Sequence, residues 1–175
     1  MTNTPVDLYE QAVDKLERWQ LDEAEELLRQ LLDADPEHAK AVNKLGVVYA
    51  RREQLDAAEE LFQQAIALDP NDPAPYSNLG NIYAQREWND RAKAAYEKAL
   101  ALDPDYPNAL HNLGVLYRRE GNIGKSVELI KRASRMERTQ MQKELRSSPQ
   151  GKRAAALGWV LFIVIVLLIL YFTRS

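Results

Sequence analysis

The chain has 175 residues, of which 46% are hydrophobic and 28% charged, and this composition excludes a disordered polypeptide. It contains no cysteine, which excludes disulfide bridges, thiolate metal sites and thiol nucleophiles. The net charge of -3 is unevenly spread. Residues 1–36 hold 10 acidic and 3 basic residues, whereas residues 107–153 hold 4 acidic and 11 basic residues. This asymmetry predicts different contacts at the two ends of the chain.

The N-terminal segment from Met1 to Glu10 is polar and acidic. It lacks the basic stretch and apolar run of a secretory signal. We therefore expect the N-terminal domain to stay in the compartment where it is made.

The same residue types then recur every 34 positions, the mark of a solenoid built from repeated helix pairs. The recurring residues are Leu45, Leu79 and Leu113; Gly46, Gly80 and Gly114; Tyr49, Tyr83 and Tyr117; Pro36, Pro70 and Pro104; Ala24, Ala58 and Ala92; Phe62 and Tyr96; and Ala65, Ala99 and Ala133. Each repeat predicts two amphipathic helices, A and B. Because glycine in mid-helix costs about 1 kcal/mol against alanine, we expect the recurring glycines and tyrosines to serve helix packing within the repeats.

This spacing resembles the tetratricopeptide repeat family, whose pattern is bulky-x2-L-G-x2-Y, then A-x3-F, then A and P. The resemblance implies an all-α fold, a right-handed α-solenoid of about three to four helix pairs. One C-terminal transmembrane helix, predicted below from its apolar run, lies outside the resemblance. The predicted divisions are an N-terminal capping repeat over 1–38, regular repeats over 39–72 and 73–106, a C-terminal repeat over 107–146, a hinge over 147–153 and a transmembrane helix over 154–172.

The two terminal repeats depart from the pattern. Gln11, Ala12 and Lys15 replace leucine, glycine and tyrosine in the first repeat, which predicts a polar capping helix. In the fourth, Arg138 replaces proline, so helix B is expected to run on to about Arg146 as a basic helix. Two interpretations of that helix stay open, contact with anionic lipid and a solvated cap.

Catalytic chemistry finds little support in the sequence. The two histidines, His38 and His111, lie in different repeats, and neither has a neighbour at metal-ligand spacing. Phosphate loops and nucleophile motifs are missing. We predict no enzymatic activity, no cofactor and no metal. The acidic balance of the repeats also argues against nucleic-acid binding.

The family resemblance implies a concave groove lined by the A helices. Carried onto this sequence, the groove residues are Lys40, Asn43, Lys44, Arg51, Asn78, Asn81, Gln85, Asn108, His111, Asn112, Arg118 and Arg119. An asparagine side chain can donate to and accept from a peptide backbone, and Asn78 and Asn112 share one repeat position, as in the asparagine ladder of some family members. Of the family's five-residue carboxylate clamp only Asn78 is present, so docking of chaperone tails through that clamp is not predicted.

Residues 154–172 form an uncharged run of 19, of which 13 are Leu, Ile, Val or Phe. A helix of that length spans roughly 28 Å, close to a bilayer's hydrocarbon core. Basic residues precede the run and only Arg174 follows it, which predicts a single-pass, tail-anchored protein with its repeats on the cytoplasmic side and its C-terminus across the membrane.

The leading hypothesis is therefore a membrane-anchored adaptor or scaffold that binds a partner protein or peptide in the groove. The alternatives are a self-associating membrane assembly factor and a small tail-anchored helical-repeat receptor like the one that acts in mitochondrial fission. The sequence leaves the oligomeric state open.

Overall fold

The computed structural model describes residues 4–148, which are helical apart from short connections. Within these residues the helices are α1 (Pro5–Glu17), α2 (Leu21–Ala34), α3 (Ala39–Arg51), α4 (Leu55–Leu68), α5 (Pro73–Gln85), α6 (Asn89–Leu102), α7 (Pro107–Arg119) and α8 (Ile123–Ser147). The chain divides into two compact units after Ala133, so α1 to α7 and the start of α8 belong to the first unit.

Local sequence sets the ends of the helices. Helix α1 begins with a capping box, in which the side chains of Thr4 and Asp7 each accept a hydrogen bond from the other residue's backbone N–H. Proline near the N-terminus starts α1, α5 and α7, where its missing N–H costs nothing. Helices α2, α4 and α6 have their C-caps at Asp35, Asp69 and Asp103, each followed by a proline that disfavours helical backbone before it.

The helices pack in chain order. Helix α1 packs on α2, α3 on α4 and α5 on α6, and successive pairs meet through α2–α3, α4–α5 and α6–α7. The first helices of the pairs also contact one another, α1 with α3, α3 with α5 and α5 with α7, and so form one layer. This arrangement confirms the predicted all-α solenoid for the described residues.

Small residues bring the helices of a pair close together. Ala24, Ala58 and Ala92, which recur every 34 residues, are completely buried. In α3, a Cβ atom added to Gly46 would lie 2.6 Å from Cε1 of Phe62 in α4. The aromatic ring of the B helix therefore fills the space that a side chain on the A helix would need.

A charged network ties the first repeat to the second. Arg52 donates to Asp22 across 2.5 Å and also bonds to Glu25. The hydroxyl of Tyr49 donates to Glu25 across 3.2 Å. Burial alone would raise the pKa of Glu25. Hydrogen bonds from Arg52, Arg29 and Tyr49 lower it by more than burial raises it, so the pKa lies below its ordinary value. The carboxylate is thus held in its charged form.

The same network occurs at the second junction, where the second repeat meets the third. At the third junction, where the third repeat meets the fourth, the charges of the two paired residues are reversed. Arg86 bonds to Glu59 across 2.5 Å, and the hydroxyl of Tyr83 donates to Glu59 across 3.0 Å. At the third junction Lys93 takes the place of Glu59, and Glu120 takes the place of Arg86. The Lys93 ammonium instead lies 4.7 Å from the centre of the Tyr117 ring. A cation–π contact therefore replaces the carboxylate–tyrosine bond there.

The predicted membrane location needs correction. Across residues 4–148 no helix is both long and apolar enough to cross a bilayer. Helix α8 has the length, with 25 residues, but charged side chains occur along it, including Lys131, Arg135 and Glu137. This finding contradicts the predicted single-pass location with cytoplasmic repeats. The run 154–172 and residues 149–153 of the predicted hinge lie outside the described residues.

Candidate functional site

The residues predicted to line a groove lie on the three A helices α3, α5 and α7. On α3 these are Lys40, Asn43, Lys44 and Arg51; on α5, Asn78, Asn81 and Gln85; and on α7, Asn108, His111, Asn112, Arg118 and Arg119. These helices are neighbours in one layer, so residues from successive repeats can meet on its surface.

Two amide pairs join neighbouring A helices. The Asn78 side-chain amide donates to the side-chain oxygen of Asn43 across 2.9 Å, which links α5 to α3. The amide of Asn112 donates to the side-chain oxygen of Asn81 across 2.7 Å, which links α7 to α5. Asn43 is only 5% exposed, so its side chain serves mainly the contact between helices.

A pocket of about 330 Å³ lies between α5, α6 and α7. It is lined by Asn81, Ala84, Gln85, Tyr96, Asn112, Val115, Leu116 and Arg119. Four of the predicted groove residues therefore come together in one concave site. The other predicted residues lie outside this pocket, and of them Lys40, Asn108, His111 and Arg118 are exposed on the A helices.

Tyr96 supports the pocket from the neighbouring layer. It lies on α6, is 2% exposed, and donates its hydroxyl to the side-chain oxygen of Asn81 across 2.8 Å. Burial raises the pKa of Tyr96 to about 12, although the positive charge of Arg119 acts in the opposite direction. The hydroxyl therefore stays protonated at neutral pH and acts as a hydrogen-bond donor.

The sequence-based prediction missed Tyr96 because it lies on a B helix, at the position where the preceding repeat has Phe62. Both side chains are buried against their A helices. The signal in the sequence is that tyrosine stands here where the preceding repeat has phenylalanine. A buried phenol requires a polar partner, so a tyrosine at this core position indicates a polar group nearby. That partner, Asn81, stands where the preceding repeat has Val47.

Arg51 and Arg119 share a repeat position but have different surroundings. Arg51 donates to the backbone oxygen of Leu16, and its guanidinium lies 4.6 Å from the centre of the Trp19 ring. Trp19 itself has φ of 61°, in the left-handed region. Arg119 lines the pocket instead. The same residue type thus joins two repeats near the start of the array and faces open space at α7.

A second cavity of about 770 Å³ lies at the third junction between repeats. It is lined by Glu87, Trp88, Asn89, Asp90, Arg91 and Glu120. In the preceding junction Arg86 occupies the repeat position of Glu120 and bonds to Asp56. At the third junction the carboxylates of Asp90 and Glu120 both line the cavity instead.

Comparison with known proteins agrees with this architecture. Four models of the tetratricopeptide repeat match residues 9–73, 61–94, 80–121 and 109–142, and together they extend without a gap from residue 9 to residue 142. No curated protein matches the sequence significantly.

Several solved structures resemble the chain. A crystal structure of MamA has 26% sequence identity and a TM-score of 0.62, with 80% of this chain and 82% of that chain covered. PilF of Pseudomonas aeruginosa has 22% identity and a TM-score of 0.67 over 77% of this chain and 61% of that one. The first tetratricopeptide domain of Spaghetti, bound to an HSP90 peptide, has 24% identity and a TM-score of 0.60 over 67% and 93%.

The repeats and these neighbours support a protein-interaction scaffold. Contact of α8 with anionic lipid, one of the two interpretations left open by the sequence, has no support from either. With the helix pairs, the 34-residue period and the family models in agreement, this chain belongs to the tetratricopeptide repeat family.

Proposed function

We propose that this chain is a non-catalytic adaptor that binds a segment of a partner protein on the layer formed by α3, α5 and α7. The observation that carries the proposal is the pocket between α5, α6 and α7, in which polar side chains from two repeats converge over an apolar floor. A few placed polar groups on an apolar surface are typical of a binding site.

The chemistry of the pocket favours binding over catalysis. Its polar groups are the amides of Asn81, Gln85 and Asn112, the guanidinium of Arg119 and the phenol of Tyr96. Amides and arginine do not titrate near neutral pH, and the pKa of Tyr96 is raised to about 12. General acid–base catalysis works best with a group that titrates near the operating pH, and no lining residue provides one.

The same groups suit a polypeptide ligand. The amides of Gln85 and Asn112 can donate to a carbonyl oxygen and accept from an N–H, which are the groups repeated along any extended backbone. Asn81, whose oxygen already accepts from Tyr96 and Asn112, can donate only. The tetratricopeptide domain of Spaghetti is known in complex with a peptide, so an array of this fold can hold one. An extended segment of a partner is therefore the ligand that we propose for this layer.

The test compares proteins that co-purify with the full chain and with a pocket variant, Asn81→Ala with Arg119→Ala. The matched control is Lys131→Gln, which removes a positive charge from an exposed residue of α8 outside the pocket. Circular dichroism first checks that all three chains are folded. We expect a set of partners to be lost from the pocket variant and retained by the control. Equal recovery from all three chains would contradict the groove assignment.

A second candidate function is self-association, favoured by the exposed apolar face at the start of α8. Ile123 is 55% and Val127 41% exposed. Val127 occupies the repeat position of Glu25 and Glu59, which bond to the next repeat in the array. A second copy of the chain could cover this face. Light scattering over a range of concentrations tests it, and a constant monomer mass for both the wild type and Val127→Glu would exclude it.

A further inference from the structure

At two junctions between repeats, an arginine of one repeat is held by two carboxylates of the repeat before it. Arg86 bonds to Asp56 and, across 2.5 Å, to Glu59. At the first junction Arg52 makes the same two contacts, with the aspartate and the glutamate at the equivalent positions of the first repeat. The array therefore binds a guanidinium group at these repeat positions twice, through charge-assisted hydrogen bonds.

The third junction keeps part of this site but lacks the arginine. Asp90 occupies the repeat position of Asp56, and Glu120 occupies the position of the arginine. Both line the cavity of about 770 Å³. Lys93 stands at the position of the second carboxylate, and its ammonium lies 4.7 Å from the centre of the Tyr117 ring. A cavity with two carboxylates thus occurs at the repeat positions that hold an arginine in the preceding junctions.

The lining of this cavity carries an excess of negative charge. Its charged side chains are Glu87, Asp90, Arg91 and Glu120, so three carboxylates face one guanidinium. That guanidinium lies 4.9 Å from the centre of the Trp88 ring. Within residues 4–148 the side chains of Asp90 and Glu120 take part in no hydrogen bond or ion pair. Like charges in one cavity repel each other, and a cation bound between them would remove that repulsion.

We propose that this cavity binds an arginine side chain of a partner protein, whose guanidinium pairs with Asp90 and Glu120. The partner supplies in trans what Arg52 and Arg86 supply within the chain. A guanidinium fits better than an ammonium, because its planar fork of N–H donors can serve two carboxylates, whereas an ammonium acts as a point charge. The cavity shares no lining residue with the pocket between α5, α6 and α7, so this second contact is independent of the proposed groove.

The experiment uses the full chain labelled with 15N and three blocked peptide probes. The first is acetyl-Gly-Arg-Gly-amide. The second is acetyl-Gly-citrulline-Gly-amide, in which a neutral urea group replaces the guanidinium. The third is acetyl-Gly-Lys-Gly-amide. Binding is followed by the indole N–H signal of Trp88, which lines the cavity and is identified by its loss in Trp88→Phe. Circular dichroism first checks that every variant is folded.

We expect the arginine probe to bind at least about threefold more tightly than the citrulline probe, the gain of an exposed ion pair. The lysine probe should lie between the two. In Glu120→Gln and in Asp90→Asn the preference for arginine should fall by about half or more, because one carboxylate is lost. Glu128→Gln is the matched control, since it removes an exposed carboxylate of α8 outside the cavity, and it should leave the preference unchanged.

A second variant asks whether the site is the one that the preceding junctions use. Lys93→Glu with Glu120→Arg gives the third junction an arginine of its own, so the arginine probe should lose its advantage over the citrulline probe. Asn81→Ala changes the groove pocket and not this cavity, so it should bind the arginine probe as the wild type does. Failure of the groove assignment and failure of the arginine site can therefore be told apart.

Three results would overturn the arginine site. One is equal affinity of the arginine and citrulline probes for the wild type. Another is an equal loss of preference in Glu128→Gln and Glu120→Gln, because the charge of the whole chain and not the cavity would then attract the probe. The third is that no probe shifts the Trp88 signal.

Discussion

The hydroxyl of Tyr96 donates a 2.8 Å hydrogen bond to the side-chain oxygen of Asn81, and this bond joins α6 to the A-helix layer beside the pocket. Tyr96 is almost completely buried. The bond thus connects the core of the third repeat with a residue that lines the candidate binding site.

Replacement of Tyr96 by phenylalanine should lower the free energy of unfolding by about 1 kcal/mol, because one buried hydrogen bond is lost. The reciprocal change Phe62→Tyr is the matched comparison. In that repeat Val47 occupies the position of Asn81, so the new hydroxyl finds no equivalent partner. It should cost about 1–3 kcal/mol, the penalty of an unsatisfied buried polar group. Urea denaturation of both variants measures the two values, and a stabilising effect of Phe62→Tyr would refute the pairing argument.

High pH should destabilise the fold through Tyr96. The pKa of Tyr96 is raised from 10.0 in its ordinary state to about 12 in the folded chain. A raised folded-state pKa means that the stabilising contribution is complete below pH 10 and is lost as the pH rises from about 10 to about 12. The total loss is on the order of 3 kcal/mol, since each pKa unit corresponds to about 1.4 kcal/mol. Urea unfolding at pH 9 and pH 11.5 should show a smaller loss in Tyr96→Phe than in the wild type. An identical loss in both chains would assign the effect to other tyrosines.

The third junction between repeats should accept the charge arrangement of the first two. The double change Lys93→Glu with Glu120→Arg would restore the pair formed by Glu59 and Arg86, and Asp90 is placed to accept from the new arginine as Asp56 does from Arg86. We expect the double variant to melt at a higher temperature than the wild type.

The two single variants are the controls for that exchange. Glu120→Arg alone places an arginine beside Lys93, and Lys93→Glu alone places a glutamate beside Glu120, so both create like-charge neighbours. The gain of the double variant should therefore exceed the sum of the single effects in a double-mutant cycle. Simple additivity would show that the two positions do not interact.

The close approach of α3 and α4 predicts that Gly46→Ala is destabilising. The added Cβ would lie 2.6 Å from the ring of Phe62, which is 1% exposed and cannot move aside freely. Overpacking of this kind costs typically 1–3 kcal/mol, whereas alanine gains only about 1 kcal/mol of helix propensity over glycine. Thermal unfolding measures the net loss. Gly124→Ala in α8 is the matched control, because nothing lies near that position and only the propensity gain should appear.

The fold follows from the sequence because its determinants are local and repeat at a fixed interval. Prolines after Asp35, Asp69 and Asp103 mark the ends of the B helices, and the recurring glycines and alanines mark the faces where helices meet. Each feature acts within one repeat or between neighbours, so a 34-residue period is enough to place it. The all-α solenoid and the family assignment were confirmed for this reason.

The candidate site was only partly predictable, because its geometry depends on pairings between repeats. Asn78 bonds to Asn43, and Asn112 bonds to Asn81. In each pair the two residues occupy different positions of the 34-residue repeat, so a comparison of the repeats position by position does not reveal the pairing. Arg51 and Arg119 occupy one column, yet only Arg119 lines the pocket. The surroundings of a side chain, unlike its place on a helix, depend on what the neighbouring repeat provides.

The amide pairs have a consequence for the thermodynamics of recognition. Asn43 with Asn78, and Asn81 with Asn112, fix the rotamers of groove side chains before any ligand arrives. A side chain that is already immobilised loses little conformational entropy on association, where a free one would lose about 0.5–1.5 kcal/mol. The layer is thus preorganised, and calorimetry of binding should show a smaller unfavourable entropy for the wild type than for Asn43→Ala, in which Asn78 is released.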